Sequence, residues 1–108
     1  MRVLLAGAFV FAALFQSQEA RTFTGTITDS ECANANHALM RMGDTDPECV
    51  KACLDFHAAT FVLYDGSATY ALSDQTAPAP FAGRKVTVTG TLDEKTRRIT
   101  VRSITAAN

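Results

Sequence analysis

The sequence predicts a mainly β domain, a small five-stranded barrel with a short helical insert between its first two strands. Two observations support this prediction. Five short segments alternate apolar and polar residues and are rich in β-branched side chains, which is the pattern of half-buried strands. Between the first and second of these segments, residues 31–58 contain helix-favouring residues and all three cysteines of the chain.

The N-terminus differs in character from this domain. Arg2 precedes an apolar run from Val3 to Phe15, which is the arrangement of a secretory signal peptide. The run is short for a transmembrane helix, and an uncleaved membrane anchor is the alternative. We therefore expect a signal peptide over residues 1–20, a periplasmic or secreted location, and a single domain over residues 21–108.

The predicted strands define an inward face. The first strand, Thr22–Thr28, places Phe23 and Ile27 on one side, with Gly25 at a bend between them. A tight turn at Asp65–Gly66 joins the second strand to the third. The later strands are predicted over Thr60–Tyr64, Ala68–Leu72, Arg84–Leu92 and Arg97–Ile104. Their predicted inward residues are Val86, Val88 and Leu92 on the fourth strand and Ile99, Val101 and Ser103 on the fifth.

The insert is predicted to contain two helical pieces separated by a loop. Residues 33–40 favour a short helical turn, and the following Gly-Asp-Thr-Asp-Pro run is a loop by composition. The second helix is predicted to have Asp46 as its N-cap, Pro47 in its first turn and its end near His57.

Five strands in this order, with glycines near the bends, indicate an OB-like barrel. The usual OB fold has its helix between strands three and four. In this chain the corresponding segment is only Ser73–Gly83, and the helical segment lies between strands one and two. We therefore expect an OB-like barrel with a displaced helix.

The insert also carries a Cys/His pattern, C-x4-H-x11-C-x3-C, formed by Cys32, His37, Cys49 and Cys53. Three cysteines are an odd number for an exported protein, in which thiols tend to pair or oxidise. Cys49 and Cys53 are four residues apart on the predicted helix, so their sulfurs share a face and are poorly placed for a mutual disulfide. The leading prediction is a disulfide from Cys32 to Cys49 or Cys53, which would staple the insert to the first strand.

A bound metal ion is the alternative to that disulfide. The three cysteines and His37 form a Cys3His set, which is a familiar tetrahedral zinc combination. Thiolates with Met40 or Met42 nearby suit copper(I) equally well. The acidic balance of residues 29–55 favours a bound cation, and His57 is an alternative fourth ligand. A functional thiol is the third possibility for the pattern.

Other classes of function receive little support from the sequence. The net charge of −1 gives no basic excess, so we expect no nucleic-acid partner. No recognised catalytic motif is present, and the carboxylates Asp29 and Asp55 have no spacing that pairs them as acid and base. We expect a non-enzymatic envelope binding or accessory module that does not remain in the membrane after signal cleavage. Its partner is expected to be a small ligand, a metal ion or an envelope protein.

One series of motifs extends through nearly all of the predicted mature chain. It consists of Gly25-x-Ile27-x-Asp29-Ser30-x-Cys32, His37, Cys49-x3-Cys53, Phe61-Val62-Leu63 and Phe81-Ala82-Gly83-x-x-Val86-x-Val88-x-Gly90-x-Leu92. In these motifs the chain resembles an uncharacterised group of short secreted bacterial proteins. The resemblance implies an exported OB-like domain with a Cys/His-bearing helical insert, and it implies no particular activity.

Overall fold

The computed structural model describes residues 19–38 and 43–107. Residues 1–18 of the predicted signal peptide lie outside the described residues, as do Met40 and Met42. Within the two described ranges, no helix is long and apolar enough to cross a bilayer.

The described chain forms five β-strands and one α-helix. The predicted mainly β class, the number of strands and the position of the helix between the first two strands are confirmed. A single 3-10 turn precedes the fourth strand within the described ranges. In chain order the elements are β1 (Arg21–Asp29), α1 (Asp46–Phe56), β2 (Phe61–Tyr64), β3 (Thr69–Leu72), the 3-10 turn (Ala79–Phe81), β4 (Lys85–Asp93) and β5 (Arg98–Ala106).

The sheet closes on itself because every strand pairs with two neighbours, in the order β1-β2-β3-β5-β4. All pairs are antiparallel except β3 with β5. Strand β1 lies between two partners, with Arg21 to Thr26 opposite β4 and Thr26 to Asp29 opposite β2. Gly25 lies at this change of partner, where a Cβ atom would collide with the carbonyl oxygen of Tyr64. Steric contact therefore requires a glycine at the position where the sequence predicts a bend.

The core lies inside this closed sheet and continues beneath α1. Val86, Val88 and Ile99 are fully buried, as predicted. The prediction that Ser103 faces inward is wrong, because a register shift between Thr89 and Gly90 changes the alternation of β5. The fully or largely buried core residues are Ile27, Val50, Phe61, Leu63, Leu72, Ala82, Val86, Val88 and Ile99, with Phe23, Leu92, Val101 and Ile104 among the residues packed against them.

The boundaries of the insert differ from the prediction in two places. Residues 31–38 form turns and bends, so no helix occurs in the described part of the predicted 33–40 helical turn. The N-cap of α1 is Thr45, one residue before the predicted Asp46. The Thr45 backbone is extended, and its side-chain Oγ1 accepts a hydrogen bond from Glu48 N at 3.3 Å. Thr45 Oγ1 also donates to Glu48 Oε1 at 2.9 Å, which orients the hydroxyl that caps the helix.

The insert is fixed to the sheet at both of its ends. Ser30 N donates to Thr60 O at 2.9 Å, and Thr60 N donates to Ser30 Oγ at 3.0 Å. Gly83 has a positive φ of 75° and lies so close to Pro47 that a Cβ would overlap the start of α1. Gly83 N also donates to Ile27 O at 2.8 Å, so this loop brings α1 and β1 together.

Candidate metal centre

Cys32 is positioned by the turn that ends β1. Asp29 Oδ1 accepts hydrogen bonds from Glu31 N and Cys32 N, both at 2.9 Å, which is the pattern of an Asx turn. The carbonyl oxygen of Cys32 accepts from Thr28 Oγ1 at 2.9 Å and from Ala35 N at 2.8 Å. These bonds fix the backbone of Cys32 at the end of β1.

His37 is brought to the same place by a loop that replaces the predicted helical turn. Ala35 has a positive φ of 60°, a left-handed conformation that interrupts helical geometry. Asn34 Oδ1 accepts from Asn36 N at 3.1 Å, and Asn36 Oδ1 accepts from Ala38 N at 3.0 Å. These side-chain bonds occupy the backbone donors that a helix would use. His37 is only 3 % exposed.

Cys49 and Cys53 lie on the buried face of α1, one turn apart. Both are 0 % exposed, and the intervening Val50 belongs to the barrel core. The spacing predicts that both sulfurs point to the same side of the helix. That side faces the loop that carries Cys32, because the ligand atoms of the three cysteines lie within 4.8 Å of one another.

The donor atoms form two overlapping groups that share Cys32. The first contains the sulfur atoms of Cys32, Cys49 and Cys53, and the second contains donor atoms of Asp29, Cys32 and His37. Within each group every pair of donor atoms is separated by no more than 4.8 Å. The four residues predicted from the Cys/His pattern are thus buried and close enough to hold a metal ion.

No disulfide links the three cysteines of the chain, all of which are described by the structure. The bond from Cys32 to Cys49 or Cys53, which was the leading prediction from the sequence, is therefore not formed in the structure. The three cysteines are instead thiols whose sulfur atoms lie within 4.8 Å of one another, and in this arrangement each can act as a ligand.

Two polar atoms of the centre are buried without a hydrogen-bond partner among the described residues. They are Asp29 Oδ2 and His37 Nδ1. Leaving such an atom unpaired in the interior costs about 1–3 kcal/mol, and more when the group is charged. Because a cation can be bound by a carboxylate oxygen and by an unprotonated imidazole nitrogen, it would compensate both atoms at once.

In the metal-free centre, the thiolate forms of Cys32 and Cys53 are electrostatically unfavourable. Burial, followed by the nearby charge of Asp29, raises the pKa of Cys53 to about 12. The same two causes, in the same order, raise the pKa of Cys32. A metal ion reverses this preference because its charge stabilises thiolates, so metal binding must displace protons from these cysteines.

The structure places His57, the alternative fourth ligand, outside this centre. His57 is exposed and belongs to neither group of donor atoms, and its backbone N donates to Cys53 O at 2.9 Å at the end of α1. From the sequence, Asp29 closes the first strand and can cap the segment that follows, belongs to the acidic segment 29–55, and is a possible catalytic carboxylate. Its position three residues before Cys32, at the end of β1, is the signal that indicates an Asx turn beside the thiol.

Comparisons of the chain with protein-family models, with curated proteins and with solved structures found no match.

Raised thiol pKa values predict that the reduced, metal-free domain loses stability at alkaline pH. The Cys53 pKa rises from 9.0 to about 12 on folding, so folding favours the protonated thiol. This contribution is fully present below pH 9 and is lost as the pH rises toward 12. Urea unfolding across this range should show a smaller alkaline loss for Cys53→Ser than for the wild type. An identical pH dependence of the two free energies of unfolding would contradict the prediction.

Proposed function

We propose that the chain is an exported, non-enzymatic domain that binds a metal ion through Cys32, Cys49, Cys53 and His37. One observation carries the proposal: three buried thiols lie close together, a buried imidazole lies beside one of them, Cys32, and the imidazole Nδ1 has no partner among the described residues. A small domain has little core to offset such unsatisfied groups, whereas a metal ion turns them into ligands.

The barrel that carries the centre is proposed to be OB-like. The closed order β1-β2-β3-β5-β4 and the sharing of β1 between two partners support this assignment. The helix between β1 and β2 is the departure from the usual arrangement. In this proposal α1 serves to present Cys49 and Cys53 to the turn after β1.

Zinc and copper(I) are the two ions that the four ligands suit. Three thiolates with one imidazole form a common zinc set, and thiolates also select copper(I). The deep burial of the donors, with Cys49 and Cys53 at 0 % exposure, favours a centre that holds its ion without a coordinated water. Such a closed centre stabilises the fold or carries the ion, and does not activate water for catalysis.

The proposal is tested by metal content together with a pair of histidine variants. We expect native protein to contain bound zinc or copper, and chelation to lower its melting temperature. His37→Ala should weaken binding of added Zn²⁺ by at least tenfold, because it removes a buried ligand. His57→Ala is the matched control and should bind as the wild type does, because His57 is exposed and outside the centre. Equal affinity of the two variants would exclude His37 as a ligand.

The alternative function is a binding or accessory module of the envelope, stapled by a disulfide. Its supporting observation is that the Cys32 sulfur lies within 4.8 Å of both helix sulfurs, so oxidation could join it to either one. Intact mass before and after thiol alkylation distinguishes the two functions. Three alkylated thiols after metal removal support the metal centre, and a single alkylated thiol supports the disulfide.

Export is expected to remove about the first twenty residues. The prediction depends on Arg2 and on the apolar run from Val3 to Phe15. N-terminal sequencing of protein isolated from the envelope or the medium should yield a mature chain that begins near Arg21. Recovery from membranes of a chain that begins at Met1 would identify the segment as an anchor.

A further inference from the structure

Asp29 differs from the other aspartates that cap turns in this protein. Asp65, Asp74 and Asp93 each accept two backbone hydrogen bonds from the residues two and three positions further on, as Asp29 does. Asp65 and Asp93 are exposed and Asp74 is partly exposed, so water can solvate their second carboxylate oxygen. Asp29 is 0 % exposed.

The second oxygen of Asp29 is therefore not explained by the turn. Oδ1 accepts both backbone bonds, whereas Oδ2 is buried with no partner in the described ranges. An asparagine would cap the turn equally well through its carbonyl oxygen without burying a charge. Burying an unpaired carboxylate is costly, and a positive group bound beside it would offset that cost.

The neighbouring donor atoms indicate where such a positive group would bind. A carboxylate oxygen of Asp29, the Cys32 sulfur and a ring nitrogen of His37 lie within 4.8 Å of one another. His37 Nδ1 is the other buried atom left without a partner by the described residues. A single cation bound between the two side chains, one at the end of β1 and one in the insert loop, would compensate both of them.

We propose that Asp29 is a donor of the centre, beside its thiolates and His37, and selects a divalent ion of the zinc class over copper(I). This inference rests on the proposed metal-binding function. Copper(I) is satisfied by thiolates, and it would leave the Asp29 carboxylate without compensation. A divalent ion compensates one more negative charge, and zinc accepts carboxylate oxygen and imidazole nitrogen beside sulfur. Asp29 thus makes the centre less favourable for a monovalent ion.

The test compares Asp29→Asn with Asp74→Asn in the reduced full-length mature protein. Both variants keep the carbonyl oxygen that caps the turn, and only the first removes a buried charge. Affinities for Zn²⁺ and for copper(I) are measured by competition with chromophoric chelators under anaerobic conditions. We expect Asp29→Asn to weaken Zn²⁺ binding about ten- to a hundredfold, a typical effect for groups that support a metal centre. Copper(I) binding should change much less, and Asp74→Asn should change neither affinity.

Melting temperatures separate this role from a purely structural one. Metal-free Asp29→Asn should melt at or above the wild-type temperature, because it keeps the turn and loses an unpaired charge. The increase in melting temperature on adding Zn²⁺ should be smaller than in the wild type. A lower metal-free melting temperature, or a failure to fold, would assign Asp29 to the fold and overturn the proposal.

The affinities of Asp29→Asn and of the wild type for Zn²⁺ and copper(I) decide the outcomes that the melting temperatures do not. Unchanged Zn²⁺ affinity in Asp29→Asn, or an equal loss for Zn²⁺ and copper(I), would also overturn the selective role. Wild-type protein that binds neither ion would instead refute the proposed metal-binding function itself. Failure of this inference is therefore distinguishable from failure of the function on which it rests.

Discussion

Replacing Val88 with aspartate is expected to unfold the domain. Val88 is 0 % exposed at the centre of β4, where it pairs with Phe23 of β1 and with Ile104 of β5. Both partners are apolar, so the new carboxylate has no group with which to bond. Burying an unpaired charge costs about 4–5 kcal/mol or more, which approaches the whole stability of a small domain.

Thermal melting followed by far-UV circular dichroism checks this expectation. Thr100→Asp is the control, because Thr100 is exposed on β5 and an aspartate there remains in water. We expect the control to keep a cooperative transition within a few degrees of the wild type. A Val88→Asp protein with an unchanged melting temperature would show that β4 has the opposite face inward.

The strands were predictable because their sequences alternate. On β4, Val86 and Val88 alternate with polar neighbours, and both are fully buried in the structure. On β5 the same reasoning was correct for Ile99 and wrong for Ser103. The register shift opposite β4 inserts one extra residue, Arg102, between the pairs made by Val101 and Ser103. A pattern with a period of two residues contains no signal for such a bulge.

The loop before His37 shows a different limit of sequence reasoning. Its alanines favour helix by intrinsic propensity, yet Asn34 and Asn36 accept the backbone hydrogen bonds with their side chains. The predicted start of α1 is displaced by one residue because Thr45 and Asp46 are both good N-caps. The two hydrogen bonds between the Thr45 hydroxyl and Glu48 favour Thr45 as the N-cap.

The residues of the candidate centre could be brought together from the sequence, but their surroundings could not. The C-x3-C spacing on a helix and a nearby histidine brought Cys49, Cys53 and His37 into one hypothesis. Asp29 was missed as a candidate donor because the cue for that proposed role is tertiary. That cue is the burial of its second carboxylate oxygen, and burial of one atom depends on how α1 covers the end of β1.

Replacing Cys32 with serine is expected to have the largest effect on metal binding. Cys32 is the one donor that belongs to both groups of the centre, so its loss leaves neither group complete. Structural zinc sites provide about 10–16 kcal/mol of binding free energy, so one of four ligands accounts for roughly 2.5–4 kcal/mol. That corresponds to about a hundred- to thousandfold weaker Zn²⁺ binding.

The same variant also separates the metal centre from the disulfide when stability is measured under three conditions. Wild type and Cys32→Ser are compared by urea unfolding as reduced metal-free, reduced Zn²⁺-loaded and oxidised metal-free protein. With Zn²⁺ at about a thousand times the wild-type Kd, binding adds about 4 kcal/mol to the wild type. Under the metal-centre proposal, the two proteins therefore differ most in the Zn²⁺-loaded state. A disulfide would place the difference, about 3 kcal/mol, in the oxidised state instead. A difference of the same size in all three states would mean that Cys32 contributes only packing, and would contradict both chemistries.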